Sequence, residues 1–226
     1  MSSLQTIIDN ATFITIDRKK VTGQTVSRSG RLLTAELASA VPYKFTVGMH
    51  EGLQYSTNRA LAEEIDRIDI TEESDIDFGT TNTNLSYITS YQGDVPDAEI
   101  ARCLLDSQTG SDGANIHVNT NATLFSSYSY MFKKGDYIQP GAGYRYVYTV
   151  TEDVPFSQTS DLNVPVHRTV IPQDSYSFTN KGFGVGSNVT FRVKMITKPT
   201  YSIVPHDRLL FNSDFELVEN IRKEDS

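Results

Sequence analysis

At 226 residues the chain is long enough for a sizeable core, arranged as one large β domain, two small ones, or one domain carrying an insertion. Its net charge of -8 argues against a partner that is mainly phosphate backbone, which calls for clustered Lys and Arg, so no nucleic acid binding is expected. A single cysteine, Cys103, rules out an intrachain disulfide and offers no paired thiolate for a metal; it reads as a small buried hydrophobe.

The packing residues are 12 Tyr and 11 Phe with no Trp, beside many Val, Ile and Thr, and these types suit a pleated, half-buried surface. The expectation is a mainly β protein. A mean hydropathy of -0.34 with 21% charged residues is the composition of a folded, soluble chain. Residues 1–9 have neither the basic region nor the apolar run of a secretory signal, and no stretch has the length to span a bilayer. Synthesis in a cytoplasm, without membrane insertion, is therefore expected, and the sequons at Asn10, Asn84, Asn121 and Asn188 carry no weight.

In chain order, residues 13–16 predict a short strand ended by a charged turn at 17–20, and 27–30 a loop before a strand at 31–37. Residues 43–47 alternate apolar and polar, the pattern of a strand with one face on a core. Residues 56–69 predict the one amphipathic helix, capped by Ser56 or Thr57, with Leu61, Ile65 and Ile68 on one stripe. Arg59, Glu63 and Arg67 sit four apart on its solvated side. A polar, acidic loop follows at 71–84, then a strand at 85–89; residues 98–105 fit either helix or strand.

Turn formers at 108–114 mark a boundary. Beyond it come predicted strands at 116–125, 130–139, 144–151 and 164–171, spaced as in a small barrel or sandwich. A Gly-rich link at 180–187 leads to an alternating strand at 189–195, then to strands at 201–204, 209–211 and 215–218 and a charged tail.

Little in this pattern is chemistry. His50, His117, His167 and His206 accompany no Gly-x-Ser-x-Gly elbow and no His-Glu-x-x-His pair, so neither nucleophilic catalysis nor zinc is indicated. Asp75 and Asp77, with Glu72 and Glu73, offer hard oxygens but lack the spacing of an EF-hand loop, and read as a solvated acidic loop. Gly182-x-Gly184-x-Gly186 has the wrong spacing for a dinucleotide loop and reads as a β connection. No enzyme activity and no cofactor are expected. The most suggestive feature is aromatic: Tyr144, Tyr146 and Tyr148 share one face of a predicted strand, either as core with satisfied hydroxyls or as a surface for a sugar or protein partner.

One resemblance spans most of the chain. Strands followed by Pro42-Tyr43-Lys44-Phe45-Thr46-Val47, a short turn, Leu53-Gln54-Tyr55-Ser56 and the helix resemble the amino-terminal half of tailed-bacteriophage distal tail proteins. The run Asn119-Thr120-Asn121-Ala122-Thr123-Leu124, leading through Lys133-Lys134-Gly135-Asp136-Tyr137-Ile138 to Tyr146-Val147-Tyr148-Thr149-Val150, looks like the OB-type barrel that some of them insert. Phe191-Arg192-Val193-Lys194-Met195 through Phe215-Glu216-Leu217-Val218-Glu219 is similar to their closing strands.

The resemblance implies a β-sandwich core with helix 56–69 over residues 1–106, an inserted OB-like β-barrel over 107–187, and strands at 188–226 that return to the first domain. It also implies a homo-hexameric ring in the virion, at the tail tip or baseplate, whose partners are its own copies, the tail tube protein, and a baseplate hub or tail fibre protein. The long acidic loop at 71–84 departs from that pattern and leaves another baseplate or neck component open. Two other classes are a carbohydrate-binding module using the tyrosines, and a calcium-dependent or hydrolytic protein centred on the acidic loop.

Overall fold

The computed structural model describes residues 4–18, 22–26, 32–36, 41–49, 53–79, 83–111, 113–120, 128–141, 143–157 and 161–221. The expected loop at 27–30, His50, the 121–125 end of the predicted 116–125 strand and the tail from 222 lie outside them. The fold is mainly β, as composition and alternation predict, with antiparallel pairing throughout the registered strands.

In chain order the elements are α1 (Gln5–Asp9), β1 (Ala11–Asp17), β2 (Thr22–Val26), β3 (Leu32–Glu36), β4 (Lys44–Met49), β5 (Leu53–Gln54), α2 (Tyr55–Asp66) and β6 (Ser74–Ile76). After a 3-10 turn at Thr83–Ile88 come α3 (Asp97–Ile100), β7 (Leu104–Leu105), β8 (Asn115–Asn119), β9 (Tyr130–Phe132), β10 (Tyr137–Pro140), β11 (Tyr148–Thr149), β12 (Val154–Pro155) and β13 (Leu162–Pro165). The last are β14 (Phe183–Val185), β15 (Phe191–Thr197), β16 (Tyr201–Val204), β17 (Arg208–Phe211) and β18 (Phe215–Glu219).

The chain falls into two compact units. One joins residues 6–73 to 193–221; the other holds 74–192 with residues 4–5. The sequence placed these junctions at 106/107 and 187/188; the structural division falls at 73/74 and 192/193.

In the 6–73/193–221 unit, β1, β4, β18 and β15 lie side by side, with β1 at the edge. The C-terminal strand β18 sits between β4 and β15, pairing Leu217 with Phe45 on one side and with Met195 on the other. Phe45, Val47, Val193, Phe215 and Leu217 are buried at alternate positions, the period-two pattern of a strand with one face on a core. A second group, β16, β17 and β5, abuts α2 in sequence, and β2 pairs with β3 as a separate hairpin.

Helix α2 ends earlier than predicted and buries Ala62 and Ile65, while Leu61 is only half-buried. Its N-cap is Gln54, which makes no side-chain capping bond, so neither Ser56 nor Thr57 caps the helix. The acceptor instead comes from the β16–β17 turn. The Ser56 amide donates to Asp207 Oδ1 at 2.8 Å, and the Ser56 hydroxyl donates to the other carboxylate oxygen. Hydrogen bonds from Ser56 hold the Asp207 carboxyl below its ordinary pKa. At the other end, Lys198 Nζ donates to the carbonyls of Asp66 (2.5 Å) and Ile68 (3.3 Å), placing a cation where helical carbonyls lack partners.

The 74–192 unit is built from short ladders: β11-β10-β14, β12-β9 and β13-β8-β7. The predicted 130–139 strand is two strands, β9 and β10, divided by a turn at Gly135, whose φ of 102° favours glycine. Asp136 locks that turn. Its buried carboxylate accepts the Lys133 amide through Oδ2 and the Gln92 amide through Oδ1, both at 2.8 Å.

Two expected elements differ, and one segment left open between helix and strand holds both. The strand at 85–89 is instead part of the 3-10 turn, closed by the Ser90 amide and hydroxyl on the Tyr87 carbonyl, with the Tyr87 ring exposed. Residues 98–105 hold both α3 and β7. The Gly-rich link at 180–187 contains β14, which pairs with β10.

Candidate functional site

The tyrosine run of the 74–192 unit forms only two strand residues, Tyr148 and Thr149, and the period-two pattern predicted there is absent because residues 146–150 are all buried. Tyr144 is 4% exposed, and Tyr146 and Tyr148 are 0% exposed. The Tyr144 ring meets Tyr146 edge-on at 5.7 Å and lies near Tyr176 (5.0 Å) and Phe178 (5.3 Å). Of the two roles the sequence left open, core or contact surface, these rings occupy the core.

The hydroxyls are satisfied within it. Tyr144 donates to the Ile171 carbonyl (2.6 Å), Tyr148 accepts the Ile171 amide (2.9 Å), and the two hydroxyls bond each other at 2.6 Å. Burial, then the neighbouring Tyr148, holds the Tyr144 hydroxyl far above its usual pKa. Arg168, also buried, donates to the Val147 carbonyl at 3.0 Å, and its guanidinium lies 5.1 Å from the Tyr148 ring centre and 5.9 Å from that of Tyr146.

In front of this core opens a cleft of about 830 Å³. One wall is the β10–β14 ladder, in which Gln139 faces Gly184 and Pro140 faces Phe183. The chain segments approach so closely that a Cβ on Gly141 would stand 2.4 Å from the Gly182 carbonyl oxygen, which requires glycine at 141.

Two amide side chains fasten the walls. Gln139 accepts the Thr190 amide (2.8 Å) and donates to the carbonyls of Thr190 (3.0 Å) and Tyr144 (3.1 Å). Gln173 accepts the Arg145 amide (3.1 Å) and donates to the Gly143 carbonyl (2.9 Å). Three cations, Arg145, Lys181 and Arg192, line the cleft with one carboxylate, Asp75. Arg192 grips Asp75 through Nε at 2.7 Å and Nη2 at 2.8 Å, the bidentate geometry of a guanidinium on a carboxylate.

The other residues singled out by sequence serve local roles. Of the acidic loop, Asp75 is engaged by Arg192, Glu73 accepts Asn220 Nδ2 at 2.5 Å, and Asp77 accepts the Gly79 amide at 3.1 Å. The Asp77 backbone is held at both amide and carbonyl by Gln5, at 2.9 and 3.0 Å. Among the described residues no group of three or more His, Cys, Asp or Glu comes together to hold a metal. His167 Nδ1 accepts the Thr149 amide at 3.0 Å, and His206 stands in the β16–β17 turn with a φ of 69°. Cys103 is buried, and desolvation, then Glu99, pushes its thiol up to about 11.

Sequence reasoning missed the cation trio, since Arg145, Lys181 and Arg192 lie on separate segments with no common spacing. The one signal near it was the glycine run 182–186, read as a connection. No helix among the described residues is long and apolar enough to cross a membrane. Comparison with protein-family models finds no match, and comparison with curated protein sequences finds none either.

Proposed function

We propose that this chain is a non-enzymatic structural protein of a tailed-bacteriophage virion. It forms a ring, a homo-hexamer by the resemblance, that joins the tail tube protein to the baseplate hub or tail fibre protein after assembly in the host cytoplasm. The observation that carries this reading is the interrupted construction. Residues 6–73 and 193–221 build one unit, closed by a C-terminal strand between β4 and β15, and 74–192 forms most of another. That order, first half, insertion, returning strands, is the one on which the resemblance rests.

A surface suited to neighbours supports it. β1 leaves a sheet edge, and the same unit exposes Phe13, Ile70, Ile196 and Ile203. Free strand edges and exposed apolar side chains are what a head-to-tail copy would cover in a closed ring. The glycan-binding alternative loses support, because its three tyrosines are covered by the chain's own core.

Size-exclusion chromatography with light scattering, followed by negative-stain imaging, tests the proposal. A ring, alone or on mixing with tail-tube and hub subunits, is expected; a chain that stays monomeric in both cases overturns it.

A further inference from the structure

The geometry points to a hinged strap in the 74–192 unit: residues 175–180 lift as one piece from the Tyr144 ring, opening the cleft onto the aromatic core, and reseat to close it. This goes beyond the ring reading and does not depend on it.

Placement makes the first argument. The strap runs between Gln173 and Lys181, which both line the cleft, and carries Tyr176 and Phe178 onto Tyr144, a third lining residue. The two rings meet each other edge-on at 5.2 Å. Phe178 also lies over Gly110, where a Cβ would stand 3.1 Å from its ring. Withdrawal of both rings therefore joins the cleft to the side of Tyr144 that they now cover.

The second argument is how the strap is attached. On one side Ile171 is held at amide and carbonyl by Tyr148 and Tyr144, and Gln173 is tied by its side chain to Arg145 and Gly143. On the other, the Asn180 amide donates to the Leu105 carbonyl (3.0 Å) and the Leu105 amide donates to the Lys181 carbonyl (2.7 Å). Between these anchors the backbone bonds stay inside the loop, from the Tyr176 amide to the Gln173 carbonyl (3.0 Å) and from the Lys181 amide to the Phe178 carbonyl (3.1 Å). Asp174, Ser175, Ser177 and Thr179 are exposed. Among the described residues, then, the segment 174–179 is held to the rest of its unit by two rings and no hydrogen bond. Few apolar contacts and exposed backbone are the marks of a segment that opens locally, without global unfolding.

The third argument is that the seated state carries penalties at the same place. The Tyr176 hydroxyl oxygen is buried with no hydrogen-bond partner among the described residues, a cost that contact with water removes. Ser175 and Asn180, at the two ends of the strap, have φ of 63° and 56°, the left-handed region that is unfavourable for a side chain and more so for serine than for asparagine. Lifting hydrates the hydroxyl and lets Ser175 relax. Burial of two rings is thus opposed by an orphaned hydroxyl on one of them and by backbone strain at the hinges, which keeps the lifted state within reach.

Hydrogen exchange of the full chain, read by mass spectrometry, tests the strap. Its reporters are the amides of Tyr176, Asn180 and Lys181, the three that are hydrogen-bonded in residues 172–182. They are expected to exchange well before the amides of β10. Tyr176→Phe keeps the ring and removes the orphaned hydroxyl, so it should slow their exchange roughly tenfold, the scale of one unpaired buried group. Ser175→Gly should slow it by a smaller factor; Ser175 is exposed, so this variant keeps the test valid should Tyr176→Phe fail to fold. Phe178→Ala, which removes one of the two rings, should speed it. Exchange no faster than that of β10, or exchange left unchanged or accelerated by both Tyr176→Phe and Ser175→Gly, would overturn the inference.

Discussion

The hydroxyls of Tyr144 and Tyr148 close a ring of hydrogen bonds on a single residue, Ile171. A phenol has one proton to donate. That of Tyr144 goes to the Ile171 carbonyl, so the proton between the two hydroxyls belongs to Tyr148, which in turn accepts the Ile171 amide. Both polar groups of a buried backbone unit are thus satisfied by side chains rather than by a ladder.

Tyr148→Phe leaves the Ile171 amide without its acceptor and is expected to cost about 1–3 kcal/mol in urea unfolding, the range for an orphaned buried group. Tyr144→Phe orphans the carbonyl and should cost a comparable amount. The two changes share a partner, so a double-mutant cycle should give a coupling of about 0.5 kcal/mol or more; strict additivity would show that the ring does not act as a unit.

Asp136→Ala removes the acceptor of two backbone amides, those of Lys133 and Gln92, at a buried position. Each orphaned donor carries a penalty of about 1–3 kcal/mol, so a total loss of about 2–6 kcal/mol is expected by thermal or urea unfolding. Burial raises the Asp136 carboxyl pKa, while the amides it accepts act against that rise. Asp136→Asn, which turns an NH₂ towards one of those donors, should recover only part of the loss.

The carboxylate of Asp207 caps α2 from a distant turn, and its pKa is depressed by Ser56. A depressed carboxyl contributes stability that is fully present above its ordinary value of 3.8 and is lost as pH falls through the lowered folded value. The Tm difference between the parent chain and Asp207→Asn should therefore be widest near neutrality and close in acid below 3.8. A difference constant across that range would show that the charge of Asp207 plays no part.

Cys103 is buried, with its thiol pushed up to about 11, so little thiolate forms at pH 8. A thiol reagent should leave the native chain unlabelled for hours and react promptly in urea. Rapid native labelling would mean that the α3 region opens readily.

What the sequence disclosed depended on which face of a strand was buried. β4, β15 and β18 each set one face on a core, so their alternation was readable and their positions were found within a residue or two. Residues 144–150 have nearly every side chain buried, and burial on both faces erases the period-two signal, which is why an eight-residue strand was expected where two residues pair. The α2 cap was illegible because its acceptor, Asp207, is remote in sequence. The cleft was invisible for the same reason: no spacing rule links Arg145, Lys181 and Arg192, which only β14, β15 and the glycine approach at 141 and 182 bring together.

The placement of β18 between β4 and β15 bears on how the molecule is made. As the chain leaves a ribosome, residues 6–73 emerge first but lack the strands that complete their sheet until 193–221 follow. The 74–192 stretch is continuous and holds nearly all of its own unit. Synthesis thus reverses the usual amino-terminal-first order: the later stretch can settle while the earlier one still presents the open edge of β4. A message truncated before residue 193 would release a chain with that edge permanently uncovered, a ready template for aggregation.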